Sequence, residues 1–285
     1  MRERIGFMQG RLGHEMTTKI LGANNCTIQE VSLTPNASES GVDYFSVYNR
    51  VVVITGSNRG NGYAIANGLS NAGAKVVRID LAFDNKLNTE DIEFDLTNQT
   101  KIKSLVEDIA KKYGRIDALV NNAGVSIASA NPYADESTYE KTLSVNLHAA
   151  FAMCSAVCPI MASHNSGSIV NITSLGAELA FPNNPSYQIS KAGLRQLTKA
   201  LARDWGEFGI RANNICPGYI NTAMTAKSFT DNELHQQRKN NTLMKRWGES
   251  ADLVGPTIFL ISDASSYITG TDIYVDGGWT ANGGL

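Results

Sequence analysis

Strand-like and helix-like hydrophobic patterns alternate along the chain from about residue 49. The first is the β-branched run RVVVITG at residues 50–56, which is typical of a buried parallel strand. A glycine-containing, helix-forming segment follows it, and the strand AKVVRID then ends at Asp80. About ten residues separate Asp80 from the short strand IEFDL at residues 92–96, too few for a full crossover helix. The sequence therefore predicts an abbreviated second crossover.

The alternation continues to the end of the chain. The expected elements, in order, are the helix TNQTKIKSLVEDIAKKYG, the strand IDALVNNAG, the helix YEKTLSVNLHAAFAMCSAVCPIMASH, the strand GSIVNITS, the amphipathic helix SYQISKAGLRQLTKALARDW, the strand RANNICPGYINTAM, the helix SADLVGPTIFLIS and the strand TDIYVDGG. Residues 222–248 are polar and helix-prone, as expected of a lid over a substrate. Strands that alternate with helices predict an α/β fold with a doubly wound parallel sheet.

Composition sets the domain organisation. Residues 1–48 show weak periodicity and many polar residues, so we expect an N-terminal extension there. Residues 49–285 are expected to form a single α/β domain. With 285 residues and 42% hydrophobic content, the chain can bury the core of one such domain.

Charge and cysteine content exclude several other classes of protein. A net charge of −2 gives no electrostatic reason to expect nucleic acid or a membrane surface as partner. The N-terminus lacks an apolar run of signal-peptide length, so a cytoplasmic location is the default expectation. The four cysteines form no C-x-x-C motif, and Cys154 and Cys158 are interpreted as small buried hydrophobes. The four histidines lack ligand spacing, so no metal is expected.

The segment after the first strand is a candidate phosphate-binding loop. Glycine allows a tight turn and lets a pyrophosphate approach the N-terminus of the following helix, whose free N–H groups favour an anion. A strand, a glycine cluster and a helix in this order predict dinucleotide binding. The predicted loop residues are Gly56, Ser57, Asn58, Arg59, Gly60, Asn61 and Gly62.

Asp80 stands at the end of the second strand, where an acidic side chain can accept hydrogen bonds from the adenosine ribose hydroxyls. A carboxylate there would repel a 2′-phosphate, which favours NAD. Arg59 is the counter-argument, because a guanidinium in the glycine loop could reach such a phosphate. NAD is therefore preferred and NADP remains the alternative cofactor.

Further cofactor contacts are expected after the other strands. Asp95 is placed to meet the adenine amino group, the turn after the fourth strand would run under the cofactor, and the proline-glycine break near residue 217 would lie near the nicotinamide carboxamide. These predicted contacts are Asp95, Leu96, Asn122, Ala123, Gly124, Pro217, Gly218, Ile220 and Thr222.

The stretch from Ser174 to Lys191 carries the candidate chemistry. Tyr187 and Lys191 are four apart in the amphipathic helix, so the lysine ammonium can lie beside the phenol and lower its pKa from about 10. Ser174 ends an apolar strand, where its hydroxyl can hold a substrate oxygen. Asn146 lies among apolar neighbours and is expected to be either a structural bracket or part of a proton path.

Together, TGSNRGNG, NNAG, Asn146, Ser174, Y-x-x-x-K and PGYINT resemble the short-chain dehydrogenase/reductase family over residues 49–280. The resemblance implies a Rossmann sheet of seven parallel strands and a homotetramer or homodimer. It also implies that Tyr187 is the general acid/base, that Ser174 binds the substrate oxygen, and that Lys191 binds the nicotinamide ribose and lowers the tyrosine pKa. Asn146 would hold a water that relays the proton. Asn61 departs from the aliphatic residue usual in that loop.

The resulting hypothesis is an NAD(H)-dependent oxidoreductase that interconverts a secondary alcohol and a ketone. The alternatives are an NADP(H)-dependent ketoreductase and a non-catalytic NAD(H)-sensing module, although such modules typically lose the tyrosine or lysine. A sugar, polyol, hydroxy acid or small cyclic alcohol would suit a pocket that mixes one charge with apolar area. The expected pocket residues are Ser174, Glu178, Phe181, Tyr219 and Met224.

Overall fold

Seven strands form a single parallel sheet in the computed structural model, which describes residues 43–84, 87 and 89–282. The first 42 residues of the expected extension lie outside this described part. Every strand pair is parallel, and the spatial order is β3-β2-β1-β4-β5-β6-β7. The strands are β1 (Val51–Thr55), β2 (Lys75–Asp80), β3 (Glu90–Glu93), β4 (Ala118–Asn121), β5 (Gly167–Ile172), β6 (Ile210–Pro217) and β7 (Asp272–Val275).

The strand order reverses between β1 and β4, and ligands of such sheets bind at the carboxyl ends of the strands beside this point. The predicted fold, a doubly wound parallel sheet of seven strands, is confirmed. The prediction for the third strand needs a correction. Residues 92–96 were expected, but β3 ends at Glu93 because Asp95 accepts hydrogen bonds from Thr97 and so starts a turn.

Helices cover both faces of the sheet. Between β2 and β3 the described residues form no helix, as the short spacing predicts. The α-helices are α1 (Gly60–Asn71), α2 (Ile102–Tyr113), α3 (Glu136–Leu143), α4 (Ala149–Ser163), α5 (Pro185–Trp205), α6 (Ala226–Thr230), α7 (Asn232–Asn241) and α8 (Val254–Ile261). A π-helical turn, Ser144–His148, joins α3 to α4.

Two hydrophobic clusters lie on opposite faces of the sheet. One joins α2 and α4 to the sheet and contains Met153 and Met161. The other joins α1 and α8 to the sheet and contains Ile65 and Leu260. Cys154 and Cys158 are buried in the first cluster, as their apolar surroundings predict.

The helix α5 is amphipathic, as predicted, but several of its apolar positions are exposed. Leu194 and Leu201 are buried, but Ile189 is 48% exposed, and the exposed residues of this helix also include Ala192 and Ala200. The face toward the sheet is partly polar instead, because Ser190, Lys191 and Thr198 are buried there and hydrogen-bonded. The exposed apolar residues of α5 therefore lie on the side of the helix that faces away from the sheet.

The residues just before β1 pack on the domain. Val47 is buried among the side chains of the α1 and α8 cluster, and the ring centroid of Phe45 lies 6.2 Å from that of Phe259. The backbone N–H of Ala264 donates to the Tyr44 carbonyl. The boundary of the extension at residue 48 stays a prediction.

Candidate active site

The glycine loop closes tightly over the carboxyl end of β1. Gly56 has a φ of 65°, a left-handed conformation that favours glycine. A Cβ added to Gly62 would lie 2.1 Å from the Gly56 carbonyl oxygen, so this close approach requires glycine. Arg59 precedes α1 without a side-chain capping bond to it. The first backbone N–H groups of α1 are therefore free to bind an anionic group at the glycine loop.

The turn after β4 lies directly beside this loop. The Asn122 side-chain amide donates to the carbonyl oxygens of Gly56 at 2.6 Å and of Thr55 at 3.1 Å. The Thr55 hydroxyl accepts from the backbone N–H groups of Asn122 and Ala123, both at 3.1 Å. The structure thus brings Asn122, Ala123 and Gly124 against the glycine loop at the point where the strand order reverses.

Two carboxylates flank the outer edge of the loop. Asp80 accepts the backbone N–H of Asn58 at Oδ2 and that of Leu81 at Oδ1, both at 2.8 Å. The Asn58 side-chain amide donates to Asp84 Oδ2 at 2.9 Å, and Asp84 donates its backbone N–H in return. Asp84 was missed in the sequence, where its one signal was a second acidic residue shortly after Asp80. Arg59 is exposed on the loop.

Asp95 and Leu96 follow β3 at the same edge of the sheet. Asp95 is exposed, and hydrogen bonds from the hydroxyl and backbone N–H of Thr97 lower its pKa. Both bonds reach the same carboxylate oxygen, Oδ1. Leu96 is buried in the core, whereas Asp95 is exposed to solvent.

The fourth predicted contact region, after β6, reaches across to the glycine loop. A Cβ added to Gly60 would lie 3.6 Å from Thr222 Cγ2. The Thr225 hydroxyl donates to the Ile220 carbonyl at 2.5 Å, and Ile220 pairs with Gly248 in a parallel bridge. The segment that follows Pro217 and Gly218 is thereby fixed beside α1.

Ser174 and Tyr187 converge over Gly176. Ser174 begins a 3-10 turn after β5, and its Oγ accepts the Gly176 N–H at 3.1 Å. A Cβ added to Gly176 would lie 3.6 Å from Ser174 Oγ and 3.7 Å from Tyr187 Cε1. Burial raises the pKa of Tyr187, the hydrogen bond with Ser174 lowers it, and the nearby Tyr219 raises it. The net shift of the Tyr187 pKa is upward.

Lys191 is buried one turn along α5 from Tyr187. Its Nζ donates to the Ile172 carbonyl at 2.7 Å and lies 5.8 Å from the centroid of the Tyr187 ring. Burial lowers the pKa of Lys191 to about 8. The expected lowering of the tyrosine pKa by Lys191 does not appear in the structure. Burial disfavours the charged forms of both Tyr187 and Lys191.

Asn146 is fully buried in the π-helical turn and brackets the backbone of Val125. Its Oδ1 accepts the Val125 N–H at 2.8 Å, and its Nδ2 donates to the Val125 carbonyl at 2.9 Å. The same amide donates to Ser190 Oγ at 3.0 Å. Of the two roles considered, these contacts are those of a bracket. A Cβ on Gly124 would lie 3.4 Å from both Asn146 Oδ1 and Lys191 Nζ, so these side chains meet there.

The predicted pocket residues separate into two groups. The rings of Phe181 and Tyr219 lie 6.1 Å apart, edge to face, and so form one wall. Glu178 instead accepts a hydrogen bond from Tyr274 and lies 3.4 Å from Arg195, while Met224 is 52% exposed. The Gln188 side chain holds the Phe181 backbone through its N–H at 2.8 Å and its carbonyl at 2.7 Å. Gln188 carried no sequence signal for this role.

Comparisons with known proteins identify relatives of this chain. Residues 56–280 match the family model described as enoyl-(acyl carrier protein) reductase. The chain is 35% identical over 251 residues to gluconate 5-dehydrogenase of Gluconobacter oxydans, covering 84% of this chain and 98% of that protein. It is 33% identical over 250 residues to 5-keto-D-gluconate 5-reductase of Escherichia coli K12, covering 83% and 97%.

A solved structure extends the likeness to three dimensions. The gluconate 5-dehydrogenase from Burkholderia cenocepacia, in complex with NADP and tartrate, superposes with a TM-score of 0.80 at 32% identity. The match covers 84% of this chain and 98% of that one. The family match, the sequence identity to these relatives and the shared fold together identify the family. The chain belongs to the short-chain dehydrogenase/reductase family and is a nicotinamide-dependent alcohol dehydrogenase or ketoreductase acting on a small molecule.

Proposed function

We propose that this protein is an NAD(H)-dependent oxidoreductase that interconverts a secondary alcohol and a ketone on a polyhydroxylated small molecule. The observation that carries the proposal is the approach of Ser174 and Tyr187 to each other over Gly176, with Lys191 beside the Tyr187 ring. Two of the relatives described above are named for gluconate or 5-keto-D-gluconate. Those names support a polyhydroxylated substrate for this chain as well.

The residues around the glycine loop suit a dinucleotide. The N-terminus of α1 and the backbone near Gly56 and Gly62 would hold the pyrophosphate, and Thr222 would contact the carboxamide end. The cofactor, when bound, supplies or accepts the hydride. Lys191 would donate hydrogen bonds to the nicotinamide ribose from a position that the Ile172 carbonyl fixes. Its buried ammonium would contribute the positive charge that this end of the site needs.

Tyr187 is assigned the proton transfer at the substrate oxygen, and Ser174 is assigned the second hydrogen bond to that oxygen. In the ketone-reducing direction the phenol donates its proton, and its raised pKa keeps it protonated at neutral pH. In the alcohol-oxidising direction the phenolate form must accept the proton, so higher pH favours that direction. Asn146 would support the site by fixing Val125, and a water relay at Asn146 stays a prediction.

The preference for NAD over NADP is inferred from Asp80 and Asp84. Both carboxylates are joined to Asn58 at the outer edge of the loop, where a 2′-phosphate would need a positive surrounding. NADP stays the alternative because the Burkholderia protein was solved with NADP. In this chain Arg59 is the residue that would serve such a phosphate.

We further infer a homo-oligomer built on the outer sides of α4 and α5. Phe151 is 57% exposed and Ile189 48% exposed, and a groove between the helices is lined by Leu147, Phe151 and Leu197. The continuous helical run Glu136–Ser163 is long and apolar enough to span a membrane, but 44% of its most apolar window is buried inside the fold. A second copy of the chain would cover the exposed remainder of this surface.

The cytoplasmic location stays a prediction.

The substitution Tyr187→Phe tests the mechanism. It removes the proton-transferring hydroxyl and keeps the ring, so turnover should fall by about 10²- to 10⁴-fold while NADH binding survives. Rates would be followed by NADH absorbance over a panel of polyols, sugars and sugar acids, and NADH binding by fluorescence titration. Tyr267→Phe is the matched control, because it removes the same hydroxyl from a fully exposed residue. A Tyr187→Phe protein that retains half of the wild-type rate would contradict the assignment.

A further inference from the structure

Arg238 lies against an aromatic wall at the substrate end of the site. We define this wall as Phe181, Tyr219, Trp247 and Trp279. Tyr219 is its centre, with its ring 5.0 Å from that of Trp279, 5.6 Å from that of Trp247 and 6.1 Å from that of Phe181. The guanidinium carbon of Arg238 lies 4.1 Å from the Tyr219 ring centroid and 5.7 Å from that of Trp247. A cation is thus held over the faces of two rings.

The hydrogen-bonding capacity of Arg238 is not fully used by the protein. Its Nη1 is buried and has no hydrogen-bond partner among the residues that the structure describes. Within residues 43–84, 87 and 89–282, the ion pairs found do not include Arg238. A buried guanidinium N–H without a partner costs free energy that an anionic ligand would recover.

The wall connects Arg238 to the candidate reaction centre. Tyr219 is close enough to Tyr187 for its charge to affect the pKa of that phenol. Phe181 is held by the side chain of Gln188, the residue next to Tyr187 on α5. Tyr219 therefore links the two, because its ring packs against the Arg238 guanidinium and it also influences the phenol that is assigned the proton transfer.

The other charged candidate of the pocket is already engaged. Glu178 is held by Tyr274 and lies near Arg195, which also donates to Asp272 at 2.6 Å. Of these two charged side chains, Arg238 is consequently the one left to meet a ligand at the aromatic wall. A guanidinium on a ring keeps its N–H donors in its own plane, in a fork that matches the two oxygens of a carboxylate.

We propose that Arg238 binds the carboxylate of the substrate and selects polyhydroxy acids over the corresponding neutral sugars and polyols. The inference rests on the proposed function, because it places the carboxylate relative to the alcohol that Tyr187 serves. The aromatic wall orients the guanidinium and excludes water from the ion pair. Binding through α7 would also draw the segment around Trp247 onto the substrate, because the Trp247 indole N–H donates to the His235 carbonyl of that helix.

The test compares two substrates that differ only in the group Arg238 should recognise. Gluconate and glucitol share the same hydroxyl pattern, but one carries a carboxylate where the other has a hydroxymethyl group. The wild-type protein should show at least a tenfold higher kcat/KM for gluconate. Arg238→Met should reduce this preference by about 10- to 100-fold, the range expected when a charge-assisted hydrogen bond is lost. The value of kcat/KM should fall for gluconate and not for glucitol. Arg238→Lys should retain part of the preference for gluconate.

Lys239→Met is the matched control, because it removes one positive charge from the adjacent position of the same helix. It should leave the preference at its wild-type value.

A second measurement does not depend on turnover. Calorimetry would measure gluconate binding to the Tyr187→Phe protein saturated with NAD⁺. Adding Arg238→Met to this protein should weaken that binding by the same 10- to 100-fold.

The outcomes separate this inference from the proposed function. An unchanged preference in a folded Arg238→Met protein, or a wild-type protein that prefers glucitol or fails to bind gluconate, would overturn the role of Arg238. The proposed function would survive each result if turnover still depended on Tyr187. Absence of turnover on every secondary alcohol of the panel would refute the proposed function instead. Loss of gluconate binding on adding Arg238→Met would then still support the carboxylate site.

Discussion

Replacing Lys191 with methionine should change how the stability of the cofactor-free protein responds to pH. Burial lowers the pKa of this lysine from 10.5 to about 8. Between these two values the unfolded chain binds a proton that the folded protein does not, so wild-type stability rises with pH in that window. Below pH 8 both states are protonated, and the folded state carries the full cost of a buried charge. The lowering of the Lys191 pKa from 10.5 to about 8 corresponds to a cost of about 3 kcal/mol.

Lys191→Met removes this titration. The free energy of unfolding of the wild type, minus that of the variant, should therefore rise by about 1.4 kcal/mol per pH unit from pH 8 to 10.5. Loss of the bond from Nζ to the Ile172 carbonyl shifts the whole curve by a further amount that does not alter its slope. Other groups that titrate in this range are common to both proteins, so most of their contribution cancels in the difference.

Urea unfolding at pH 7.5, 8.5 and 9.5 measures the difference. Lys199→Met is the control, because it removes an exposed lysine from the same helix and should reproduce the wild-type slope. A difference between wild type and Lys191→Met that stays flat, or that falls as the pH rises, would refute the argument that burial disfavours the Lys191 ammonium. Turnover should fall in the variant as well, because the same ammonium is assigned to the cofactor ribose.

Two further predictions concern the cofactor and the subunit interface. Asp80→Ser should reduce the ratio of kcat/KM with NAD to kcat/KM with NADP by at least tenfold, because it removes the carboxylate nearest the expected 2′-phosphate. A wild-type preference for NADP would indicate instead that Arg59 controls the site. Phe151→Glu should convert the oligomer to smaller species in sedimentation velocity, because it places a charge in an apolar contact. A wild-type protein that sediments as a monomer at micromolar concentration would remove the basis of that second prediction.

The elements that the sequence predicts best are those whose signals are local. The strand, glycine loop and helix around Gly56 follow one another within a short stretch. The strand is a β-branched run and the loop contains glycines at close spacing, so both can be recognised in the sequence. The spacing from Tyr187 to Lys191 is likewise a property of one helix. The direction of the Tyr187 pKa shift could not be predicted in this way, because it depends on burial by residues distant in the chain, such as Tyr219.

The role inferred for Arg238 was beyond the reach of sequence patterns for a related reason. The helix α7 is polar apart from Leu234, so no apolar stripe indicates which face turns inward. The rings of the aromatic wall come from four separate segments, near residues 181, 219, 247 and 279, and two of these rings contact the guanidinium. Only the folded backbone brings them together. The polar inner positions of α5, such as Thr198, were likewise out of reach, because a hydrophobicity pattern cannot show that polar side chains face the sheet.

The polar inner face of α5 explains how the site keeps its geometry. The Asn171 amide on β5 donates to the Thr198 hydroxyl at 2.7 Å, and that hydroxyl donates to Asn214 on β6 at 2.6 Å. All three residues are fully buried, and an unmatched polar group there would cost more than an apolar contact gains. A shift or rotation of α5 on the sheet would break these bonds, whereas leucine side chains would tolerate it. The network therefore fixes the helix that carries Tyr187 relative to the strand that leads to Ser174, as proton transfer to a shared substrate oxygen requires.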